Sequence, residues 1–308
     1  MTTRGPVLAV DLGGTSIKAA VLDEHGSETL RRAVPTPFAD GPDAVVAALA
    51  GLATERAAAA ADAGAPVQAA GVVVPGVVDA AAGIARYASN IGWRDAPLRD
   101  VLTSALGVPT AVGHDVHAAG LAELTLGAAA GVPDALIVVL GTGIASVVVS
   151  AGHVVRGATG TPGEIGHIPV GDPEVRCRCG AFGCTEMFSS ARGASRLYAE
   201  RTGRTVDTAH IVAQLGTDPD AAAVWQIVTD TLARALVCGA LLTDPARIVL
   251  AGGLSEAGDA LVIPTAKAVA AGMPWRSAPE LVASPLGGRA GLLGAGILAR
   301  SAAEAEHR

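Results

Sequence analysis

The sequence predicts an α/β protein built from two similar lobes. At 308 residues the chain is long for a single core. Short apolar β-prone runs alternate with helical stretches along it. One device also occurs twice: a strand, a glycine–threonine turn and a second strand. It appears around Gly13-Gly14-Thr15 and again around Gly141-Thr142-Gly143. Repetition in successive halves suggests two lobes facing one nucleotide.

Val7 to Asp23 reads as a hairpin whose turn presents backbone N–H groups to a phosphate. Asp11, at the end of its first strand, is placed to face the Mg²⁺ that accompanies a nucleotide. Taken alone, the turn is equally a plain hairpin; its echo at Gly141 favours the phosphate reading. Pro42–Ala63 is an alanine-rich helix with Val45, Val46, Leu49 and Leu52 on one stripe, stopped by Gly64-Ala65-Pro66. The strand Ala69–Val74 breaks at Pro75-Gly76, which puts backbone at the carboxyl edge of a sheet, where α/β proteins bind ligands. Asn90 follows in a loop; its amide both donates and accepts, as a sugar hydroxyl requires. Val108–Val112 is a short strand leading to His114-Asp115, with a helix at Ala118–Leu126. Asp115 reads as a helix N-cap or as a general base.

Ala135–Leu140 and Ile144–Ser150 flank the second glycine turn. Beyond it, three of the four cysteines, Cys177, Cys179 and Cys184, fall close together, ten residues and more after His167. Three thiolates and an imidazole close a tetrahedral zinc shell with no position left for water, so the metal is expected to be structural; the alternative is a metal-free thiol cluster. Cys177 and Cys179 are too near for easy disulfide pairing, and the count is odd. Glu164 and Glu186 bracket this stretch as acceptors for a polyhydroxylated ligand. Ser190–Arg201 and Asp220–Thr243 read as helices, and Cys238 in the second as an inert core residue. Ile248–Leu250 is a strand whose following Gly252-Gly253 lets an adenine or ribose approach the backbone, or forms only a tight turn. Gly291–Arg300 is a small-residue helix suited to close packing, and Ala302–Arg308 a polar tail.

The net charge of −7 and the absence of a basic run argue against nucleic acid and anionic membrane as partners. No uninterrupted run of about 18 apolar residues is present, and the start has no signal-peptide pattern. A soluble cytoplasmic protein is expected.

Asp11-Leu12-Gly13-Gly14-Thr15, His114-Asp115, Gly141-Thr142-Gly143, Gly163-Glu164-Ile165-Gly166-His167 and Cys177-Arg178-Cys179-Gly180-Ala181-Phe182-Gly183-Cys184-Thr185-Glu186 together resemble the ROK family. The likeness runs in order over nearly the whole chain, and bacterial glucokinases are the closest type. It implies a two-lobed actin/hexokinase-like (ribonuclease-H-like) ATPase fold with sugar and ATP in the cleft. The lobes would be residues 1–116 and 117–308, with a last helix at about 292–308 packing back on the first. Asp115 would be the base that takes the proton of the sugar 6-hydroxyl. Pro75, Gly76, Asn90, His114, Asp115 itself, Glu164, His167 and Glu186 would hold the sugar, and His167 would also bind zinc with Cys177, Cys179 and Cys184. Asp11, Gly13, Gly14, Thr15, Lys18, Gly141, Thr142, Gly143, Gly252 and Gly253 would hold Mg-ATP.

The chain departs from the family in two places. His114 and His117 stand where the family has Asn, and Ile144-Ala145-Ser146 stands where it has further glycines. The resemblance implies glucose as substrate by default, with other hexoses and N-acetylhexosamines as alternatives, and a homodimer. A transcription repressor is not expected, because only six residues precede the first strand. The remaining alternative is a sugar-binding protein without turnover.

Overall fold

A computed structural model describes residues 5–88, 91–158 and 162–306. In chain order the first part holds β1 (Val7–Leu12), β2 (Ser16–Leu22), β3 (Glu28–Pro35), α1 (Pro42–Asp62), β4 (Ala70–Val74), β5 (Val77–Asp79), β6 (Ile84–Tyr87), β7 (Arg94–Ala96), α2 (Leu98–Leu106), β8 (Thr110–His114) and α3 (Asp115–Leu126). There follow β9 (Ala135–Leu140), β10 (Ile144–Ser150), β11 (His153–Val154), α4 (Glu186–Ser189), α5 (Ala191–Thr202), α6 (Thr208–Ala213), α7 (Pro219–Thr243), β12 (Arg247–Ala251), α8 (Asp259–Gly272), β13 (Glu280–Ala283) and α9 (Ala290–Glu306). The chain divides into two compact units: Met1–Ala122 with Arg289–Arg308, and Glu123–Gly288.

In the first unit the strand order is β3-β2-β1-β4-β8. β1 pairs antiparallel with β2 and parallel with β4, which is itself parallel to β8. Strand side chains alternate between faces, so Leu8, Val10 and Leu12 point to one side. There they pack with Val45, Leu49 and Leu52 of α1 and with Leu98 and Leu102 of α2. The last helix, α9, lies against β1, β4 and β8. Its approach is close enough that a methyl group on Gly71 would fall 1.8 Å from the Ala295 carbonyl oxygen. The stripe of small residues in α9 is therefore what admits the helix to the sheet. A separate antiparallel sheet, β5-β6-β7, stands beyond β4.

The second unit repeats the plan, with strand order β11-β10-β9-β12-β13. β9 pairs antiparallel with β10 and parallel with β12, and β12 runs parallel to β13. The core joins Leu136, Val138 and Leu140 to Tyr198, Trp225, Val228, Leu232 and Leu236. Asp218 caps α7 by accepting the Asp220 amide at 2.8 Å, and also accepts the buried Tyr198 hydroxyl at 2.6 Å.

Several boundaries differ from the sequence reading. β8 extends to His114 because Val74 of β4 pairs with it, so α3 starts at Asp115 and not at 118. The division of units falls inside α3, six residues beyond the 116/117 boundary expected from sequence. The residues expected as a polar tail continue α9 to Glu306, since Ala295, Ala299 and Ala303 recur at helical spacing and are all buried. Cys238 is half-buried in a mainly apolar groove with Val237, Ala268 and Gly272, and is not a core residue. Two helices, Pro42–Asp62 and Pro219–Thr243, are long and apolar enough to cross a membrane by length and composition. Each instead places a set of its apolar residues in a unit core, Val45, Leu49 and Leu52 from α1 and Val224, Val228, Leu232 and Leu236 from α7.

Gly71→Ala tests the docking of α9. The added methyl meets backbone, which cannot swing aside, so a loss of about 1–3 kcal/mol is expected in urea unfolding. Wild-type stability would contradict this packing.

Candidate functional site

Parallel pairing in the first unit brings three strand ends to one edge of the sheet. Asp11 lies beside Val73, and Val73 beside Gly113. The glycine turn after β1, Pro75-Gly76 after β4 and His114-Asp115 at the end of β8 therefore stand side by side. Gly76 has φ +93°, and a methyl group there would fall 2.2 Å from the Tyr87 carbonyl oxygen, so this position accepts only glycine. Gly14 and Thr15 are exposed at the tip of the turn. Gly13 donates its amide to the Ser16 carbonyl at 2.9 Å. Thr36 braces the turn from β3's far end: its hydroxyl donates to the Gly13 carbonyl at 3.1 Å and its amide to that of Thr15 at 3.2 Å. Sequence reading missed Thr36, which follows a strand it had not identified.

Asp11 is the cross-strand partner of Lys18 and packs against α9, where a methyl on Gly291 would fall 2.6 Å from its Oδ2. Burial pushes its carboxyl up to about 6; Lys18 opposes this, and the nearby Asp115 carboxylate adds to it. Asp115 is the first residue of α3, and its Oδ1 accepts the Val116 amide at 2.7 Å. Its carboxyl is also raised, chiefly by burial, against the lowering effects of that amide and of His117. His114 Nδ1 lies 3.4 Å from Asp115 Oδ1, and the His114 and His117 rings are 5.2 Å apart. The structure thus holds two carboxylates close together at one sheet edge, both raised above the ordinary carboxylate value, chiefly by burial. Asn90 lies outside the described residues.

The second unit has a matching edge. β9 and β12 run parallel with Ala251 beside Val139, so Gly141-Thr142-Gly143 and Gly252-Gly253 emerge next to each other. Glu186, at the start of α4, reaches this turn, and its Oε2 accepts the Ile144 amide at 3.0 Å. Glu164 and His167 flank a single turn of 3₁₀ helix, with His167 Nε2 3.9 Å from Glu164 Oε2. The other ring nitrogen, Nδ1, points to Cys177 Sγ at 3.9 Å.

His167, Cys177, Cys179 and Cys184 offer ligand atoms that all lie within 4.8 Å of one another. Cys179 and Cys184 sulfurs are 3.7 Å apart. A tetrahedral zinc site with ordinary bond lengths has edges of about 3.6–3.8 Å, so the donor set fits. Within the loop, Cys177 donates its amide to the Ala181 carbonyl at 2.7 Å, and Gly180 donates its amide to the Cys177 carbonyl at 3.0 Å. From protein groups alone, burial and the two neighbouring sulfurs push the Cys184 thiol up to about 12, while the Ala181 amide holds Cys179 below its usual value. A divalent cation is what would bring all three to thiolate together. This group could hold a metal such as zinc.

Asp11 carries a sign that can be tested. Its folded-state pKa lies above its unfolded value, so its ionisation costs nothing below about pH 3.8 and the full amount above about pH 6. Asp11→Asn is expected to be more stable than wild type at pH 8 by on the order of 1–3 kcal/mol, with the gain vanishing toward pH 4. Equal or opposite effects in urea titrations at the two pH values would contradict the assignment.

Comparison with known proteins places the chain in a family. The ROK family model matches residues 7–302. A glucokinase of Streptomyces coelicolor is 33% identical, covering 96% of this chain and 98% of its own. An N-acetyl-D-glucosamine kinase of Pectobacterium atrosepticum is 31% identical over 94% of this chain and 97% of its own. Among solved structures, a ROK family glucokinase from Streptomyces griseus in complex with glucose and AMPPNP superposes with a TM-score of 0.85 at 31% identity, covering 96% of this chain and all of that one. Matching nearly end to end in sequence and in fold, the chain belongs to the ROK family.

Proposed function

We propose that this protein transfers the γ-phosphoryl group of ATP to the 6-hydroxyl of a hexose, with glucose as substrate. The broader class, an ATP-dependent sugar kinase, rests on family membership and on full-length kinase relatives. The observation that carries the finer reading is Asp115: a carboxylate at a sheet edge, oriented by the Val116 amide and made more basic by burial.

Asp115 takes the proton of the attacking 6-hydroxyl. In-line phosphoryl transfer needs little from the protein beyond positioning and charge neutralisation. Asp11 would hold Mg²⁺, which when bound would supply that neutralisation. Gly13, Gly14, Thr15 and Lys18, with Gly141, Thr142 and Gly143, cradle the phosphates, while Gly252 and Gly253 accommodate the adenosine. Glu164, His167 and Glu186 accept or donate at sugar hydroxyls, and His114, Asn90, Pro75 and Gly76 complete the sugar set. His167, Cys177, Cys179 and Cys184 would hold zinc, which would order the loop between the two glutamates and take no part in the chemistry. We further read the protein as a cytoplasmic homodimer without nucleic-acid or membrane partners. Exposed Leu241, Leu242 and Trp275 at one end of α7 and α8 give the dimer an apolar surface. An N-acetylhexosamine is the second substrate class, favoured by the N-acetyl-D-glucosamine kinase relative.

ADP release with Mg-ATP against a panel of hexoses and N-acetylhexosamines tests the reading, before and after a strong chelator. Turnover with one sugar, one zinc per chain by atomic absorption, and loss of both activity and melting temperature on chelation are expected. A zinc-free active protein would overturn the metal assignment. Asp115→Asn should lower kcat by at least about a hundredfold with sugar affinity largely kept; unchanged turnover would remove Asp115 from the mechanism. Because Asp115 must be ionised and its pKa is raised, kcat/KM should fall on the acid side above the usual carboxylate range. A profile flat to about pH 4 would contradict this.

A further inference from the structure

Strand β10 begins where the second glycine turn ends; its first residue bonds Glu186, and its third bonds the residue that precedes Glu164. At Ile144 the amide donates to Glu186 Oε2 at 3.0 Å. A methyl group on Gly143 would fall 2.6 Å from the same oxygen, so the carboxylate rests directly on the turn. At Ser146 both the amide and the hydroxyl donate to the Gly163 carbonyl, at 2.7 and 2.9 Å. Ser146 is buried, 3% exposed. Gly163 immediately precedes Glu164; it has φ +95°, and a methyl group there would fall 1.9 Å from the Ser146 carbonyl oxygen. Gly166 is pressed as closely on the Ile144 carbonyl, 2.2 Å from an added methyl.

The hydroxyl of Ser146 is more than the fold requires, because the Ser146 amide already meets the Gly163 carbonyl. What the hydroxyl adds is a further restraint on the direction in which the chain leaves for Glu164, beside the Ile165 amide, which donates to the same carbonyl at 2.7 Å. The Ile144 bond likewise occupies one carboxylate oxygen of Glu186 and leaves the other to accept from a ligand. A carboxylate fixed in advance loses less freedom when it binds.

We propose that Ser146 and the Ile144 amide are positioning groups for the sugar: the strand leaving the nucleotide turn sets both sugar carboxylates. Residues of the nucleotide turn then govern sugar affinity even when no nucleotide is present. The proposal rests on the sugar-kinase reading above and names a determinant of sugar affinity within it.

The test is calorimetric titration of wild type, Ser146→Ala and Gly143→Ala with glucose and with N-acetylglucosamine, without nucleotide, and separately with a non-hydrolysable ATP analogue alone. Gly143→Ala displaces the Glu186 carboxylate, and Ser146→Ala removes one of the three donors on the Gly163 carbonyl. Each should raise the Kd of the bound sugar about tenfold, the size of one hydrogen bond. Ser146→Ala should leave the analogue's Kd within about twofold, and should raise the sugar KM far more than it lowers kcat. Sugar Kd within about twofold of wild type in both variants would overturn the proposal, as would sugar and analogue affinities falling in parallel in Ser146→Ala. Should Ser146→Ala fail to fold, Gly143→Ala decides alone. A wild type that binds neither sugar would instead remove the sugar-kinase reading itself, and this proposal with it.

Discussion

Each unit depends on one lateral contact: the first strand of a glycine-turn hairpin pairs parallel with a later strand of the same unit. β1 does this with β4, and β9 with β12. An antiparallel hairpin alone would put its turn at an arbitrary edge. The parallel neighbour aligns that turn with the carboxyl end of a strand coming from another part of the chain. In the first unit this register sets Asp11 near Asp115, although they are far apart in sequence. In the second it sets Gly141-Thr142-Gly143 beside Gly252-Gly253. Close packing maintains the alignment: α9 reaches β1 and β4 only because Gly71 and the small residues facing it leave room.

The alignment has an electrostatic consequence. Two partly buried carboxylates at one sheet edge disfavour their ionisation, and at Asp11 the nearby Asp115 adds to that cost. Lys18 offsets part of it at Asp11, and the Val116 amide, more than His117, part of it at Asp115. Such an arrangement weakens stability and suits proton transfer. The cysteine loop of the second unit shows the same tension. Cys184 is buried where a thiolate is disfavoured, among donors spaced for a tetrahedral ion.

Much of this was legible in the sequence because it depends on local residue choice. The two glycine turns, the long helices α1 and α7 and the cysteine spacing are patterns within a few residues, and the two hairpins were read with their strands nearly in place. What was not legible depends on contacts between distant segments. β8 gains His114 from its pairing with β4, which shifts the start of α3 to Asp115. The continuation of α9 to Glu306 is fixed by burial of Ala303, which composition alone reads as a polar end. Thr36 and Ser146 are ordinary residues in sequence, and only the turn or loop each one faces gives it a role. Ser146 in particular read as a departure from the family's glycines, whereas the structure uses its hydroxyl to hold the Gly163 carbonyl.

The central claim is phosphoryl transfer to a sugar 6-hydroxyl by this chain alone. ³¹P NMR of the purified protein with Mg-ATP and either glucose or 6-deoxyglucose addresses it most directly. The account predicts a new phosphomonoester resonance with glucose, growing as ADP forms, and none with 6-deoxyglucose. A phosphomonoester formed from 6-deoxyglucose, or no sugar phosphate from any hexose or N-acetylhexosamine supplied, would contradict it.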